Sequence, residues 1–392
     1  MTGKGDQTAE TENHRQKRSK DSEDMETAIK AGRQLSKRGG SVLEDKKKRI
    51  GVIFGGKSGE YEVSLLSAAS VIRVLNTQKY EPVYIGITKE GIWKRYDGDA
   101  DSIENGSWLA EAEDLNPGDL KQYIDFALPI VHGPYCEDGK LQGFLETMDI
   151  PYGGCGVLAS AVAMDKQVAR QVFLRAGLPM CKHVFLTKAE WQDEQETVLA
   201  RIEQQIGYPN FVKPANLGSS VGISKAKDRT SLIEALALAL RYDSRVIVEE
   251  FVDCRELETG ILGNDYPAAA EVGEILSSAE FYDYEAKYSD GASRICIPAE
   301  ISAEDREEIR MMAVKACKAI GGEGYCRVDF FKDRRTGKLY LNEINTIPGF
   351  TKYSMFPLLW EAAGVKYPDT VERIIELGYE RYYTKNHRET ML

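Results

Sequence analysis

Residues 325–345 read YCRVDFFKDRRTGKLYLNEIN, and this stretch decides the fold that we expect. Alternating apolar and polar residues predict two strands, Tyr325–Phe331 and Lys338–Asn345, joined by a short turn. Alternate residues of a strand share one face, so Glu343 and Asn345 point the same way, and a hairpin brings Asp329 beside them. Two carboxylates and an amide carbonyl suit a hard divalent cation that also takes nucleotide phosphates as ligands. The stretch therefore predicts a magnesium–nucleotide site, and the alternative is an exposed hairpin with scattered acids.

Bulk composition fits an enzyme with two or three domains. The net charge of the 392 residues is −11. An acidic chain argues against nucleic acid as the main partner. The 7 cysteines are scattered, form no CxxC pair and are odd in number, which indicates a reducing compartment. No apolar run approaches the roughly 18 residues that span a bilayer, and the N-terminus has no apolar signal core. We expect a cytoplasmic protein without a nucleic-acid or membrane partner.

Residues 1–48 differ from the rest of the chain. They hold twelve Lys and Arg against nine Asp and Glu, a net charge of +3, and almost no aromatic residues. Such a segment cannot bury enough apolar surface to offset the entropy lost on ordering. We expect a disordered, dispensable extension, and the alternative is a docking segment.

The next part of the chain predicts a parallel α/β domain. Arg49–Phe54 has the pattern of a buried strand, and a Gly-rich loop follows it. Val63–Leu75 predicts a helix, with Ser64 as a plausible early cap. Val83–Ile87 and Phe126–Val131 predict two further strands. Strand, helix, strand in this order indicates a parallel sheet, and Gly-rich turns at the strand ends mark a ligand crevice.

Two further units follow. Asn210–Pro214 is a predicted strand that ends in Lys213, and residues 216–223 form a Gly- and Ser-rich loop suited to close approach of a phosphate. Arg245–Phe251 is an apolar strand that ends in two glutamates. The third unit begins near Cys254 and contains the hairpin described above. The predicted divisions of the chain are 1–48, 49–154, 155–253 and 254–392.

At this point the chain resembles the D-alanine–D-alanine ligases of the ATP-grasp superfamily. The resemblance covers Arg49 to about Tyr383, and its motifs occur in the order found in the family. They are FGGKSGEYEVS at 54–64, HGPYCEDG at 132–139, MDK at 164–166, VKP at 212–214, GSSVG at 218–222, FYDYEAKY at 281–288, RVD at 327–329 and NEINTIPG at 342–349.

The resemblance implies a three-domain ATP-grasp fold, in which two α+β domains clamp ATP and the α/β N-terminal domain binds substrate. It also implies a two-step reaction. The carboxylate of one D-alanine attacks the γ-phosphate of ATP, and the amine of a second D-alanine then attacks the resulting acylphosphate. The implied product is D-alanyl-D-alanine for peptidoglycan precursors, and the implied assembly is a homodimer.

The resemblance also assigns residues to the nucleotide and the metal. Lys166 and Lys213 reach the α- and β-phosphates, and Lys287 approaches the γ-phosphate from residues 281–291. Two Mg²⁺ or Mn²⁺ ions are held by Asp329, Glu343 and Asn345, with Glu343 bridging. The remaining nucleotide contacts are Ser220, Glu249, Glu250, Val252 and Glu256.

A second set of residues is implied for the substrates. Glu60 accepts the ammonium of the first D-alanine, and His132 lies close to the same molecule. Arg327 and the backbone N–H of Gly349 face the carbonyl oxygen that becomes negative. The remaining implied contacts are Ser354 and Met355 on the second carboxylate, and Ser219 and Tyr288, which join Glu60 in closing the site.

Two classes of alternative remain. Within enzymes, the alternative is a D-alanine–D-lactate ligase, a D-alanine–D-serine ligase or a carboxylate–amine ligase with other substrates, and the Tyr288 segment favours D-alanine as acceptor. A non-catalytic nucleotide-binding regulator on the same fold is a different class. The phosphate-binding and metal-binding residue types argue against it, and ATP consumption that depends on D-alanine separates the two.

We predict that residues 1–46 can be removed without loss of stability or activity. They are polar and lie outside the resemblance. A chain that begins at Lys47 should keep the melting temperature and turnover of the full chain in parallel thermal and activity assays. A drop of several degrees in the shortened chain would show that the extension docks on the body.

Overall fold

The computed structural model describes residues 47–218, 221–277 and 293–386, which belong to one compact unit. The order of helices and strands is that of a mixed α/β protein with three sheets. The sheets follow one another along the chain in the predicted order. The predicted domain boundaries at 154/155 and 253/254 lie between consecutive sheets. That they are domain boundaries stays a prediction.

The first sheet has five strands in the order β4-β3-β2-β1-β5. β1 is parallel to β2 and β5, as predicted for this part of the chain, and antiparallel β3 and β4 extend one edge. The elements are β1 Lys48–Gly55, α1 Tyr61–Val74, β2 Tyr80–Ile87, β3 Trp93–Tyr96, α2 Ala100–Glu104, β4 Glu113–Asp114, α3 Leu120–Tyr123, β5 Phe126–Pro129 and α4 Lys140–Thr147.

One prediction for this region is wrong. Ser64 does not cap α1, because the N-cap residue is Glu60 and no side chain caps this helix end. Ser64 lies inside the helix and is fully buried. Its hydroxyl accepts the N–H of Gly55 at 2.8 Å and donates to the carbonyl of Ile130. The serine therefore ties the ends of two parallel strands to the helix.

The central sheet has four strands in the order β6-β9-β7-β8. Val212 and Val248 are fully buried on its inner face. The leucine-rich face of α9 packs against this layer and forms a separate hydrophobic core. The elements are α5 Val157–Met164, α6 Lys166–Arg175, β6 His183–Thr187, α7 Lys188–Asp193, α8 Gln195–Gln205, β7 Asn210–Pro214, β8 Ser224–Ala226, α9 Arg229–Tyr242 and β9 Arg245–Glu250.

The third sheet has five antiparallel strands in the order β12-β11-β10-β13-β14. One face packs on α10 through a core that continues to α5 and α6. The elements are β10 Cys254–Leu262, β11 Ala268–Ser277, β12 Ser293–Cys296, α10 Ala303–Ala319, β13 Tyr325–Asp333, β14 Leu339–Asn345, α11 Met355–Ala362 and α12 Tyr367–Asn386.

The predicted hairpin is confirmed. In the pairing of β13 with β14, Asp329 lies opposite Glu343, and Arg327 lies opposite Asn345. The register shifts between Asp329 and Phe330. Such a bulge re-aims side chains beside it and is common next to functional sites. The sheet therefore places the four polar residues of the hairpin at one point.

The last helix, α12, returns to the first sheet. The ring of Tyr379 lies 4.7 Å from that of Phe126. Arg381 is buried, donates to the carbonyls of Gly154 and Tyr152, and stacks 4.1 Å from the Tyr152 ring. The helix thus fixes the segment that leads out of the first sheet. Within the described ranges, no helix has the length and apolar character needed to cross a bilayer.

We predict that Arg381→Met destabilises the protein strongly. The change leaves two buried carbonyl groups without their donor and removes a cation–π contact, at a cost of about 2–4 kcal/mol. Lys385→Met is the matched control, because Lys385 pairs with Glu146 at an exposed site where such pairs contribute little. Thermal unfolding should show a loss of several degrees for the first variant alone, and equal losses would contradict this role.

Candidate active site

A cleft of about 1670 Å³ contains nearly all predicted site residues that the structure describes. Its walls come from the loop that follows β1, from α1, and from the central and third sheets. Both charged and apolar side chains line it. The predicted residues on its walls are Glu60, His132, Lys166, Lys213, Glu250, Val252, Glu256, Arg327, Asp329, Glu343, Asn345, Gly349, Ser354 and Met355.

A largely buried ion cluster lies on β10, β13 and β14 of the third sheet. Arg327 donates through Nε and Nη2 to the two carboxylate oxygens of Asp329, each at 2.7 Å, and its Nε lies 2.8 Å from Glu258. Asn345 also donates to Asp329, at 2.9 Å. Burial would lower the pKa of Arg327, but Asp329 and Glu258 outweigh it and raise that pKa well above the usual value. Arg327 is therefore a fixed, fully charged cation.

The donor set around Asp329 fits a magnesium or manganese ion. Asp329, Glu343 and Asn345 offer two carboxylates and an amide oxygen on adjacent strands, which are the hard ligands these ions prefer. Among the described residues, no group of three or more His, Cys, Asp and Glu side chains is arranged as a metal site. Asp329, Glu343 and Asn345 would fill three ligand positions of an ion and leave the others for phosphates and water.

Lys166 is the first residue of α6, and its side chain extends towards Glu343 of the predicted metal site. Its Nζ donates to the carbonyl of Leu217 at 2.7 Å and lies 4.0 Å from a carboxylate oxygen of Glu343. Burial lowers the pKa of Lys166, partly opposed by Glu343. Asp165 accepts the first amides of this helix, so the start of the helix fixes the position of the lysine. A phosphate anion at this point would complement a partly desolvated ammonium group.

Lys213 is held by a buried carboxylate. Its Nζ donates to Glu249 at 2.7 Å, and Arg170 pairs with the other oxygen of the same carboxylate. Burial alone would raise the pKa of Glu249, but Arg170 and Lys213 outweigh burial and lower that pKa to about 2. Glu249 lies behind the cleft wall and holds Lys213 in place. Its expected contact with the nucleotide stays a prediction.

The adjoining end of the cleft is formed where β9 leads into β10. Glu250 accepts the backbone N–H of Lys182 at 2.8 Å, and Val252 and Glu256 follow along the same wall. Alternate residues of β10 share a face, so Glu256 and Glu258 lie on the cleft side of the third sheet. This wall offers apolar surface and carbonyl and carboxylate acceptors, which suit a base and a ribose.

Glu60 marks the opposite end of the cleft. Its backbone N–H is held by Ser58 at 3.1 Å. A Cβ built on Gly133 would lie 2.8 Å from Glu60 Oε2, and one on Gly218 would lie 3.8 Å from the same atom. The carboxylate would therefore be crowded by any side chain at position 133, whereas a Cβ at position 218 would make an ordinary contact with it. It lies between Gly133 and Gly218, where it can accept an ammonium group.

His132 has both ring nitrogens in internal hydrogen bonds. Nδ1 lies 3.0 Å from the carbonyl of Ile347, and Nε2 lies 3.0 Å from the hydroxyl of Ser67. Burial lowers the pKa of His132, opposed by Glu60. The imidazole is therefore neutral and structural in this arrangement, while its expected contact with substrate stays a prediction.

The segment after β14 brings Gly349 and Ser354 together. A Cβ on Gly349 would lie 3.0 Å from the Ser354 hydroxyl, so a side chain there would crowd that hydroxyl. The Ser354 oxygen accepts the N–H of Thr351 at 3.0 Å and lies 2.9 Å from the Thr351 hydroxyl. Met355, which opens α11, is buried beneath them. The backbone of Gly349 and the hydroxyl of Ser354 thus lie close together at the cleft wall.

The comparisons with known proteins agree with this geometry. Residues 49–155 match the family described as "D-ala D-ala ligase N-terminus", and residues 172–376 match "D-ala D-ala ligase C-terminus". The chain belongs to the D-alanine–D-alanine ligase family.

Several similar proteins align with most of this chain. A D-alanine–D-alanine ligase of Acetivibrio thermocellus is 46% identical over 86% of this chain and 97% of its own. One from Geobacillus thermodenitrificans is 47% identical over the same shares. A solved D-Ala:D-Ser ligase, VanG from Enterococcus faecalis, is 37% identical with a TM-score of 0.77, over 85% of this chain and 100% of that chain. The ligase of Coxiella burnetii is 32% identical with a TM-score of 0.75, over 87% and 97%. The predicted ATP-grasp fold is confirmed.

Three residues that contact the predicted site residues were missed in the sequence. Arg170 lies one helical turn after Lys166, and that spacing was the available signal. Glu258 lies opposite Asp329 in the sheet, which the sequence alone did not reveal. Burial raises the pKa of Glu137 well above its usual range, with Glu60 adding to the shift, and its carboxylate lies 4.0 Å from His132. Four predicted residues lie outside the described residues: Ser219, Ser220, Lys287 and Tyr288.

We predict that Glu249→Gln weakens both stability and nucleotide binding in this ligase. Arg170 and Lys213 would then lack a buried counter-charge, which costs about 3 kcal/mol or more. Calorimetric titration should show at least about tenfold weaker ATP binding. Glu203→Gln is the control, because Glu203 pairs with Arg229 at a partly exposed site and is not among the residues that line the cleft. Unchanged ATP affinity in Glu249→Gln would show that Lys213 does not depend on this carboxylate.

Proposed function

We propose that this protein joins two D-alanine molecules into D-alanyl-D-alanine, with ATP converted to ADP and phosphate. The family membership supports the reaction class. The observation that carries the proposal is the meeting of phosphate-type lysines, a hard-metal donor set and an oxyanion site in one cleft. The dipeptide is a precursor of peptidoglycan, so we place the protein in the cytoplasm of a bacterium. The expected homodimer stays a prediction.

ATP is proposed to lie between the central and third sheets. Lys166 and Lys213 bind the α- and β-phosphates, and the wall of Glu250, Val252 and Glu256 receives the nucleoside. Asp329, Glu343 and Asn345 would hold two magnesium or manganese ions, which supply neutralisation of phosphate charge. Ser220 and Lys287 add phosphate contacts in this proposal.

The first step activates a carboxylate. Glu60 binds the ammonium of the first D-alanine and leaves its carboxylate free to face the γ-phosphate. One carboxylate oxygen bonds to phosphorus, the bond between the β–γ bridging oxygen and phosphorus breaks, and ADP leaves. Such phosphoryl transfer depends mainly on positioning and charge neutralisation, which the held lysines can provide.

The second step forms the peptide bond. The ammonium of the second D-alanine loses a proton, and its nitrogen attacks the acyl carbon. Arg327 and the N–H of Gly349 stabilise the oxygen that becomes negative, and Ser354 with the backbone of Met355 binds the second carboxylate. The carbon–oxygen bond to phosphate then breaks, and phosphate leaves. Ser219 and Tyr288 take part with Glu60 in closing the site.

D-Serine is the second candidate for the acceptor. The VanG structure is described as a D-Ala:D-Ser ligase and has a TM-score of 0.77 with this chain. The relatives at 46–47% identity are described as D-alanine–D-alanine ligases. We favour D-alanine because of these relatives and because Tyr288 matches the family motif.

Product analysis tests the proposed function. Purified protein with ATP, magnesium and D-alanine should give one D-alanyl-D-alanine for each ADP, measured by mass spectrometry and coupled ADP detection. Equimolar D-serine and D-lactate are then added as competing acceptors. D-Alanyl-D-alanine should remain the main product. If the main product contained D-serine, D-serine would replace D-alanine as the proposed acceptor. ADP release without any D-alanine-containing product would overturn the proposed function.

We predict that Glu343→Gln abolishes turnover without unfolding the protein. The change removes one charge from the proposed metal site, and charge neutralisation supplies much of phosphoryl-transfer catalysis. Phosphate release and dipeptide formation should both fall by at least about a hundredfold, with the melting temperature within a few degrees of wild type. Glu323→Gln is the control, because Glu323 is not among the residues that line the cleft. Wild-type turnover of Glu343→Gln at saturating magnesium would remove Glu343 from the metal site.

A further inference from the structure

A short chain of hydrogen bonds joins the first domain to the segment that carries Gly349. The hydroxyl of Ser67, on α1, lies 3.3 Å from the backbone nitrogen of Phe350 and 3.0 Å from Nε2 of His132. Nδ1 of His132 lies 3.0 Å from the carbonyl oxygen of Ile347. Two side chains of the first domain therefore hold the backbone on both sides of Gly349.

The chemistry of the groups fixes the direction of each hydrogen bond. A carbonyl only accepts, so His132 carries its proton on Nδ1 and donates to Ile347. In the neutral ring that burial favours, Nε2 accepts from the hydroxyl of Ser67. The Ser67 oxygen in turn accepts the N–H of Phe350. These directions hold for the neutral imidazole with its proton on Nδ1.

The surroundings keep the imidazole in that state. Ser67 is fully buried and His132 is 3% exposed. The charged and titratable groups that act on the ring are Glu60, Glu137 and Arg327. Burial dominates and lowers the pKa of His132.

The other side of the segment is also held. The hydroxyl of Tyr367 donates to the carbonyl of Phe350, and the ring of Phe350 packs 5.7 Å from that of Tyr367. The N–H of Gly349 thus belongs to a backbone segment whose neighbouring peptide groups are fixed. Ser67 contacts both the segment, through the N–H of Phe350, and His132, through Nε2.

We propose that Ser67 is a positioning residue for catalysis, which acts through His132 and Phe350 to aim the backbone N–H of Gly349 at the reacting carbonyl. The proposal rests on the proposed function, because it deepens the role given there to Gly349. Ser67 touches no substrate in this account. Its effect is to hold an oxyanion donor, whose misplacement by a fraction of an ångström lowers the rate of the chemical step.

Amide hydrogen exchange tests the positioning without any assay of activity. In Ser67→Ala the N–H of Phe350 loses its acceptor, so its exchange should become about tenfold faster. Ser64→Ala is the matched control, because Ser64 is equally buried on the same helix and holds the N–H of Gly55 instead. That variant should accelerate exchange at Gly55 and leave Phe350 unchanged, as measured by mass spectrometry with single-residue fragmentation.

Kinetics of the same two variants test the link to catalysis. Ser67→Ala should lower kcat for dipeptide formation about tenfold and leave the KM for ATP unchanged, because the phosphate-binding lysines do not contact Ser67. Both variants lose a buried serine with two hydrogen bonds, so their melting temperatures should fall by similar amounts. A general loss of stability would therefore lower kcat equally in both.

The outcomes separate this inference from the proposed function. Unchanged exchange at Phe350 in Ser67→Ala overturns the positioning role, whether or not the wild type makes dipeptide. Faster exchange with an unchanged kcat, or an equal loss of kcat in Ser64→Ala, overturns the catalytic consequence. A wild type that makes no dipeptide overturns the proposed function, while the exchange measurement still decides whether Ser67 holds the segment.

Discussion

The largely buried ion pair of Arg327 with Asp329 constrains much of the arrangement around it. A guanidinium cannot be buried without compensating charge, because removing it from water costs several kcal/mol. The compensation comes from the same strand through Asp329 and from the neighbouring strand through Glu258. Strands β10, β13 and β14 must therefore keep their register, since a slip of one residue would turn these charges to opposite faces.

The same constraint shapes the phosphate side of the cleft. Lys213 and Arg170 share the carboxylate of Glu249, so a cation that would otherwise be flexible is held on the end of a strand. Lys166 is fixed by its place at the start of a helix. In each case, a charge that is expected to meet a ligand is positioned by a second charge or a helix end behind it. Such preorganisation lowers the reorganisation that a reaction would require.

Much of this could be predicted from the sequence. The hairpin and its facing carboxylates followed from alternation alone, because side chains of a strand have a period of two residues. The expected cleft residues came from short motifs within single loops or strands. The parts that were missed depend on contacts between distant segments, such as the cross-strand position of Glu258. Ser64 was misassigned because a serine near a helix start has the same local pattern whether it caps the helix or bridges buried strands.

Glu249 shows a second limit of sequence reasoning. Two adjacent glutamates at a strand end look equivalent in the sequence, yet adjacent residues face opposite sides of a strand. Only the packing reveals that Glu249 faces Arg170 and Lys213, while Glu250 faces the cleft. The sequence likewise does not show the contacts of His132 with Ile347 and of Ser67 with Phe350, because the partners are more than 200 residues apart along the chain.

The central claim is that this cleft activates a carboxylate by phosphorylation before the peptide bond forms. D-Alanine labelled with ¹⁸O in its carboxylate tests it directly. During turnover with ATP, each phosphate released should carry one labelled oxygen, transferred from the carboxylate that became the peptide carbonyl, as measured by mass spectrometry. Unlabelled phosphate released together with dipeptide would contradict the account, because the carboxylate oxygen would not have bonded to phosphorus.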